Sequence, residues 1–308
     1  MELTAQYNKE IGAHKFSVLG GYSYNETDFE ELWIDNYGFQ DDYFGGWHNI
    51  GIGSALKDGK ANIGSKKTPT NLIGFFGRAT YSFKNRYLLM GALRYEGASQ
   101  LWGTDNAWGL FPSISVGWRI TEEAFMKNQK IFDDLKLRAS YGLTGNFRIP
   151  NYGAQGEVAY YSYVLGGNSA DVVKGAAPKS MPNPELHWEK TAQVNIGFDA
   201  SLFKNRLTLG LDLYNSNTYD LLLDVPVPMT TGYKTRLENI GKVNNKGVEF
   251  NIATNQKMGD FNWSVYFNIS KNINEVKELG PGNADIISSG SVSNAYFITR
   301  VGEPIGSY

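Results

Sequence analysis

One alternating stretch decides the fold: Arg206-Leu207-Thr208-Leu209-Gly210-Leu211-Asp212-Leu213-Tyr214. Every second residue from Leu207 to Leu213 is leucine, and the residues between them are polar or glycine. Side chains of a β-strand point alternately to opposite faces. The stretch therefore predicts a strand with one apolar and one polar surface.

The same alternation recurs along most of the chain. Its apolar positions are Leu, Ile, Val, Phe, Trp, Ala and Tyr, and its polar positions are mostly Ser, Gly, Asn, Thr and Gln. The clearest segments are 113–120, 135–144, 193–202, 247–252 and 261–270, with weaker ones at about 15–25, 72–83 and 87–97. The chain is also rich in aromatic residues that favour strands, with 19 Tyr, 17 Phe and 7 Trp. We therefore expect an all-β, antiparallel protein.

Two architectures share this pattern, a soluble β-sandwich and a transmembrane β-barrel. Several of the alternating segments extend to nine or more residues, whereas strands of globular sheets usually have about 5–6 and tilted membrane strands need about 9–11. The apolar positions of these segments carry no charge, as expected where a Lys or Arg at the membrane midplane would cost about 2–4 kcal/mol. These features favour the transmembrane barrel.

The predicted connections alternate between very short and long. Short ones fall at 9–13, 83–87, 203–207 and 258–260, and two of them, Phe83-Lys84-Asn85-Arg86-Tyr87 and Phe203-Lys204-Asn205-Arg206-Leu207, are near copies. Long ones fall at about 26–70, 99–107, 146–187 and 218–245. Short turns on one side and long loops on the other are typical of outer-membrane barrels.

Two smaller features accompany the predicted connections. The segment from Thr121 to Met126 resembles the start of a short helix, with Thr121 as its cap. Aromatic residues near predicted strand ends fit either interfacial girdles or ordinary strand propensity: Phe83, Tyr87, Phe111, Trp188, Phe203 and Phe261.

The pattern contains about ten spanning strands. The last residues, Gly302 to Tyr308, include no closing strand, and an open set of strands would leave unpaired edges in lipid. The start has no signal peptide, and no run of about 18 apolar residues indicates a membrane helix. We therefore expect a partial barrel from a processed or truncated chain.

Composition argues against several functions. The net charge is −2 and no basic block occurs, which argues against a nucleic-acid surface. The chain has no cysteine, so disulfides and thiolate metal sites are excluded. Its three histidines, His14, His48 and His187, are scattered and lack metal-ligand spacing. We expect no catalytic constellation, no metal and no cofactor.

Several segments, in order from about residue 71, resemble the barrel of SusC/RagA-type TonB-linked outer-membrane proteins. They are Gly77-Arg78-Ala79-Thr80-Tyr81-Ser82-Phe83, Leu93-Arg94-Tyr95-Glu96-Gly97-Ala98-Ser99, Asn106-Ala107-Trp108-Gly109-Leu110-Phe111-Pro112-Ser113, Leu135 to Asn146, Asn183-Pro184-Glu185-Leu186-His187-Trp188, Asn239-Ile240-Gly241-Lys242-Val243 and Val301 to Tyr308.

The resemblance implies a TonB-dependent nutrient importer in the outer membrane of a Gram-negative bacterium. The family's barrel is of the plugged type with about 22 strands, so residues 1–308 would form part of the barrel domain, with the plug domain, TonB box and final strands absent. Implied partners are a SusD-like surface lipoprotein, the TonB complex, outer-membrane lipid and a large substrate, an oligosaccharide or a peptide. Glycan is the substrate class that the resemblance favours.

One predicted loop is a candidate for substrate binding. Trp33, Tyr37, Tyr43 and Trp47 lie close in sequence, with Phe39, Phe44 and three aspartates among them. Aromatic faces beside carboxylates can stack on and hydrogen-bond sugar rings. The alternative is that these aromatics pack the loop against itself or against the SusD-like lipoprotein, which the resemblance implies to cover the outer face as a lid. A second, weaker candidate is the group Tyr160, Tyr161 and Tyr163.

Two other functions remain open from the residues alone. A passive outer-membrane porin would have the same wall without a plug or energy coupling. A secreted glycan-binding β-sandwich would have the same alternation without a membrane.

Overall fold

The computed structural model describes residues 1–40, 48–164, 172–289 and 296–307, which contain sixteen strands. The strands are β1 (Glu2–Ile11), β2 (His14–Asp35), β3 (Asn62–Phe83), β4 (Tyr87–Ala98), β5 (Trp108–Arg119), β6 (Phe132–Asn146), β7 (Val158–Val164), β8 (Val172–Pro178), β9 (Glu189–Leu202), β10 (Leu207–Tyr219), β11 (Leu222–Pro226), β12 (Thr235–Asn239), β13 (Lys242–Met258), β14 (Phe261–Glu278), β15 (Ile286–Ser289) and β16 (Tyr296–Thr299).

In residues 1–40, 48–164, 172–289 and 296–307, helical structure is limited to single turns. One α-helical turn, α1, spans Ser54–Lys57, and 3-10 turns span Ile50–Ile52, Ser99–Leu101, Ile120–Glu122, Ala124–Met126, Met229–Thr231 and Pro281–Asn283. None of the helices in the described ranges is long and apolar enough to cross a membrane.

Ten strands form one antiparallel sheet in the order β1-β2-β3-β4-β5-β6-β9-β10-β13-β14. Each strand pairs with the next long strand of the chain, and the pairs β7–β8, β11–β12 and β15–β16 are separate two-stranded hairpins within connections. The prediction of about ten long strands is confirmed. One continuous ten-stranded sheet also excludes the β-sandwich alternative, which requires two sheets packed face to face.

Contacts divide the chain into two units. Residues 25–71 form the smaller unit, which contains the distal parts of β2 and β3, the connection between them and α1. Residues 1–24 and 72–308 form the larger unit, which contains the rest of the sheet and the three hairpins.

The strand register of the larger unit confirms two chemically distinct faces. Arg138, Gly197, Asp212 and Glu249 face one another across β6, β9, β10 and β13, and the side of the sheet that carries this row is called here the polar face. The next row, Ala139, Ile196, Leu213 and Val248, lies on the opposite side, called here the apolar face. Ile196 is 57% exposed and Leu213 is 51% exposed, so the apolar face is uncovered in this chain.

The short turns follow the predicted positions. Lys84 and Asn85 have positive φ values of 54° and 53°, and Arg86 N donates to Phe83 O at 2.9 Å. The near-copy at 203–206 differs, because Leu202 pairs directly with Leu207 and Arg206 N donates to Leu202 O. Its loop is therefore one residue longer than the loop at 84–86, although the two sequences match.

The predicted long loops are partly strands. β2 continues to Asp35 and β3 begins at Asn62, so the connection predicted at 26–70 is shortened to residues 36–61. The connection at 146–187 contains β7–β8, and the one at 218–245 contains β11–β12. Residues of the long connections pack with the ends of β4 and β5 in one hydrophobic core. Members of this core are Ala98, Leu101, Ala107, Phe111, Ile149, Ala154, Leu186 and Trp188.

Two of the six aromatic residues near predicted strand ends, for which girdles and ordinary strand propensity were both open, are buried. Phe111 is 8% exposed and Trp188 is 2% exposed, and their rings make an edge-to-face contact with centroids 5.2 Å apart. Both belong to the core of the long connections. The girdle interpretation is therefore wrong for these two residues.

The expected helix at Thr121–Met126 is two successive 3-10 turns, and Thr121 does not cap it. Thr121 lies inside the first turn, where its hydroxyl donates to Asp134 Oδ1 at 3.1 Å and accepts from Leu135 N at 3.3 Å. The hydroxyl therefore links the turn to the start of β6 instead of starting a helix.

Candidate functional site

The polar face has one group of charged side chains at its centre. Arg138 on β6 donates from Nε and Nη2 to Asp199 on β9, at 3.1 and 3.2 Å, and from Nη1 and Nη2 to Asp212 on β10, at 2.5 and 2.6 Å. Lys136 Nζ lies 3.7 Å from Asp199 Oδ2. Bidentate guanidinium–carboxylate pairs fix both distance and orientation. Arg138 therefore ties three strands together on the polar face.

The contact between Arg138 and Asp212 depends on the glycine between them. Gly197 of β9 pairs with Arg138 on one side and with Asp212 on the other. A Cβ at this position would lie 2.6 Å from Leu211 O, 2.8 Å from Asp212 Oδ1 and 3.1 Å from Arg138 Cζ. The absence of a side chain at Gly197 thus lets two charged groups meet across an intervening strand.

A second group on the polar face is uncharged, and it also contains a contact between side chains that passes over a glycine of the strand between them. Tyr214 of β10 extends past Gly247 of β13, and its hydroxyl donates to Asn272 Oδ1 at 3.0 Å on β14. Asn245 Oδ1 accepts from Asn274 at 2.8 Å and from Asn272 at 3.4 Å. Because amide and hydroxyl groups both donate and accept, this surface can form hydrogen bonds with hydroxyls or with peptide groups.

The long connections bring together two segments that are far apart in sequence. Asn239 Nδ2 donates to His187 O at 2.8 Å, and Asn239 Oδ1 accepts from His187 N at 2.9 Å. Asn183 Nδ2 donates to Leu237 O at 2.8 Å, and Trp188 Nε1 donates to Ala107 O at 3.1 Å. Segments 183–188 and 237–239 are therefore hydrogen-bonded to each other, and together they form a folded platform in the long connections.

The predicted aromatic loop is only partly described. Trp33 lies near the end of β2 with its indole against Gly64 of β3, and it remains 36% exposed. Tyr37 follows β2 and is 56% exposed. Tyr43 and Trp47 lie outside the described residues.

Asn36 organises this connection in the smaller unit. Its Nδ2 donates to Ile50 O at 2.5 Å, and its Oδ1 accepts from Tyr37 N and Leu56 N, both at 3.0 Å. One amide therefore connects the end of β2 with the segment that begins α1. Sequence reasoning concentrated on the aromatics and did not identify Asn36.

The second aromatic candidate lies on β7. Tyr160 is 80% exposed, Tyr161 is 52% exposed and Tyr163 is 55% exposed. Tyr161 and Tyr163 share one face of the β7–β8 hairpin, because strand side chains alternate, and Tyr160 lies on the other. The three rings are available to a ligand but do not form one surface.

The histidines remain separate. His14 Nδ1 lies 2.8 Å from the Tyr81 hydroxyl, and His187 Nε2 lies 3.5 Å from Asp220 Oδ2. Within the described parts of the chain, no group of three or more His, Asp or Glu side chains is placed to hold a metal ion.

Sequence reasoning missed the Arg138 group and the segment contacts. Arg138 and Asp212 are 74 residues apart, and the alternation shows only that each lies on a polar face. Their pairing depends on the strand register, which the sequence does not specify. A glycine at a polar-face position between charged strands is the one signal that could have indicated the contact.

The fold is that of an outer-membrane β-barrel wall. Such walls are long antiparallel sheets with one polar and one apolar face, short turns at one end of the strands and long connections at the other. The β-barrel model of TonB-dependent receptors, described as "TonB dependent receptor-like, beta-barrel", matches residues 1–291. The chain belongs to this family.

Similar proteins agree with this assignment. The chain is 38% identical over 304 residues to TonB-dependent receptor P39 of Formosa agariphila, covering 98% of this chain and 27% of that protein. It is 34% identical over 288 residues to TonB-dependent receptor SusC of Bacteroides thetaiotaomicron, covering 90% of this chain and 27% of SusC.

A solved structure of the RagAB peptide importer in its closed-closed state superimposes with a TM-score of 0.81 at 27% identity. The match covers 99% of this chain and 32% of that chain. The chain thus spans about a third or less of the length of these relatives. The resemblance to SusC/RagA-type barrels is confirmed.

Proposed function

We propose that residues 1–308 form part of the barrel domain of an outer-membrane TonB-dependent importer for large nutrients in a Gram-negative bacterium. The observation that carries this proposal is the family match over residues 1–291. The two faces of the sheet support it, because the uncovered apolar face suits lipid and the hydrogen-bonding polar face suits a water-filled lumen. In this proposal other parts of a longer protein supply the plug and the TonB box.

The alternative within the same fold is a passive porin. An importer of this family would need the TonB complex, whereas diffusion through a porin would not. Uptake of a labelled substrate by cells carrying the full-length protein should stop when TonB is deleted. Uptake that persists at the same rate without TonB would favour the porin.

We propose a large polar substrate, with an oligosaccharide favoured over a peptide. Tyr214, Asn245 and Asn272 offer hydroxyl and amide groups without net charge, which suit sugar hydroxyls as well as peptide groups. The preference for an oligosaccharide rests on the resemblance to SusC-type barrels. The RagAB relative is a peptide importer, and a peptide is therefore the second candidate. Growth of a deletion strain and its complemented parent on oligosaccharides and oligopeptides as sole nutrients separates the two classes.

A SusD-like surface lipoprotein is the proposed partner at the long connections, and the TonB complex is the proposed partner on the other side of the membrane. The folded platform around Asn183, Trp188 and Asn239 supports the first part, because a rigid surface can hold a lid protein at low entropic cost. Affinity purification of the full-length protein from native membranes should recover a lipoprotein encoded with it. Recovery of the importer alone under mild detergent would contradict this partner.

Trp33, Tyr37, Tyr43 and Trp47 remain the proposed substrate-contacting aromatics. Replacing Trp33 and Trp47 with alanine in the full-length protein should weaken substrate affinity, because stacking contributes about 0.5–1.5 kcal/mol per ring pair. Trp102 is 48% exposed in another long connection and provides the control W102A. Equal affinity of W33A/W47A and W102A in calorimetric titration would leave only a packing role for these aromatics.

A further inference from the structure

The five short turns of the sheet form one continuous edge. Lys84 N donates to Ala13 O at 2.8 Å, Arg119 N donates to Arg86 O at 2.8 Å, and Phe203 N donates to Ile131 O at 3.0 Å. Asn255 N, on β13 just before the fifth turn, donates to Arg206 O at 3.0 Å. The first four turns are therefore hydrogen-bonded in series, and the fourth is hydrogen-bonded to the strand that leads into the fifth. Residues 9–15, 84–86, 119–134, 203–206 and 257–260 are called here the basic rim.

The basic rim concentrates positive charge. It contains ten Lys and Arg against six Asp and Glu, an excess of four positive charges, although the whole chain has a net charge of −2. The rest of the chain therefore has 19 Lys and Arg against 25 Asp and Glu. The charge of the protein is separated along the strand direction, with every short turn carrying at least one cation.

Most of these cations have no ion-pair partner among the described residues, although Lys84 Nζ lies 5.1 Å from the centroid of the Phe83 ring and Arg119 pairs with Asp134. Arg86 is paired with Glu123 at 2.9 Å, and Lys15 lies 3.4 Å from Glu10. In contrast, the described residues provide no ion-pair partner for Lys84, Lys127 or Lys204, and all three are exposed. The same holds for Lys9, Lys130, Arg206 and Lys257.

Exposed aromatic rings lie within the basic rim or directly beside it. Tyr87 is 45% exposed, Trp118 36%, Phe125 69%, Phe203 51% and Phe261 66%. Aromatic side chains at the ends of membrane strands lie at the level of lipid headgroups, with their rings toward the acyl chains. The unpaired lysines of the turns therefore lie at the height where headgroup phosphates would be found.

We propose that the basic rim binds the phosphate groups of anionic phospholipids in the membrane leaflet on the side of the short turns. Flexible ammonium groups can each contact a phosphate, and the adjacent rings contact the glycerol and upper acyl region. Charge complementarity and the aromatic flank favour lipid over a protein occupant, since cations alone would suit either. This inference rests on the proposed membrane location and does not depend on transport.

Native mass spectrometry of the full-length protein, titrated separately with phosphatidylglycerol and phosphatidylcholine, tests the proposal. The measured quantity is the ratio of the two dissociation constants. The variant K84Q/K127Q/K204Q should reduce the preference for phosphatidylglycerol at least about fivefold, the factor expected from even one basic residue at an anionic surface. High salt should reduce the wild-type preference as well.

A charge-matched control distinguishes the effect of the basic rim from the effect of a changed net charge. K57Q/K174Q/K234Q removes three exposed lysines from long connections and should leave the preference unchanged. The variant K84R/K127R/K204R should retain it, and heat-modifiable migration on gels verifies that each variant is a folded membrane barrel. An unchanged preference in the rim variant would overturn the proposal in favour of a protein or cell-wall occupant. An equal loss in the control would overturn it in favour of a general charge effect.

Discussion

Single residues on the polar face show how a wide sheet is held by few side chains. Arg138 reaches Asp212 only because Gly197 separates them without a side chain, and Tyr214 reaches Asn272 past Gly247 in the same way. Glycine weakens a strand in isolation. Here its cost is offset by contacts that span three strands.

A methyl group at Gly197 tests this explanation. We expect G197A to destabilise the protein by about 1–3 kcal/mol, because the added Cβ would overlap backbone and charged atoms. Gly91 of β4 provides the control G91A, since a Cβ there meets nothing within 4 Å. Thermal unfolding of both variants, followed by heat-modifiable gel migration, measures the difference. Equal stability of G197A and G91A would show that the Arg138 contact does not depend on Gly197.

Glu123 provides a residue-scale prediction of pH dependence. Its carboxylate accepts from the Tyr87 hydroxyl at 2.8 Å and from Trp118 Nε1 at 3.0 Å, and it pairs with Arg86. These contacts, the Tyr87 hydrogen bond first, hold the pKa of Glu123 below its ordinary value of 4.5. Stability from this group is therefore present above pH 4.5 and is lost as pH falls through the lowered pKa.

The variant E123Q should be less stable than wild type at pH 7, and the difference should disappear in acid. The control is E122Q, because Glu122 is exposed and contributes only its backbone oxygen to Arg86. Unfolding temperatures of the three proteins across the acid range provide the measurement. A difference between E123Q and wild type that stays constant with pH would contradict the role of the charged carboxylate.

At the scale of elements, the strands were predictable and their ends were not. Alternation located the strands because lipid or water on each face selects the residue type at every second position. It did not detect that β2 continues as far as Asp35 or that β3 begins as early as Asn62, because the alternation weakens in these parts of the two strands. The same sequence Phe-Lys-Asn-Arg also gave loops of different length, three residues at 84–86 and four at 203–206.

One strand offers a matched test of the two faces. Ile114 of β5 lies on the apolar face and is 50% exposed, and Ser115 beside it lies on the polar face. We expect I114R to cost about 2–4 kcal/mol in the membrane, whereas S115R should cost much less. Equilibrium unfolding in lipid vesicles measures both. A similar cost for the two arginines would mean that both faces have the same surroundings.

The β7–β8 hairpin should be separable from the barrel sheet, because its strands pair only with each other. Replacing residues 158–178 with a short Gly-Ser linker retains Glu157 and Ser180, whose contact closes the base of the hairpin at 2.8 Å. We expect the unfolding temperature to change by only a few degrees. A loss of the folded barrel would show that the hairpin supports the sheet.

For the whole molecule, the sequence predicted the fold class and family, and the structure contributed the site. Composition and alternation are properties of each strand alone, so they can be read from the sequence without knowing which strands pair. The Arg138 group and the contact of Asn239 with His187 join residues 52 or more positions apart, and they depend on register and on the path of the long connections. No local pattern encodes such contacts.

The central claim is that the polar face borders water and the apolar face borders lipid. Single cysteines at positions 113, 114, 115 and 116 of the full-length protein test it in outer membranes, and this chain has no cysteine of its own to remove. We expect a charged thiol reagent to modify S113C and S115C, and lipid-soluble quenchers to reach labels at I114C and V116C. Modification of all four positions by the charged reagent, or of the apolar pair alone, would contradict a membrane-spanning wall.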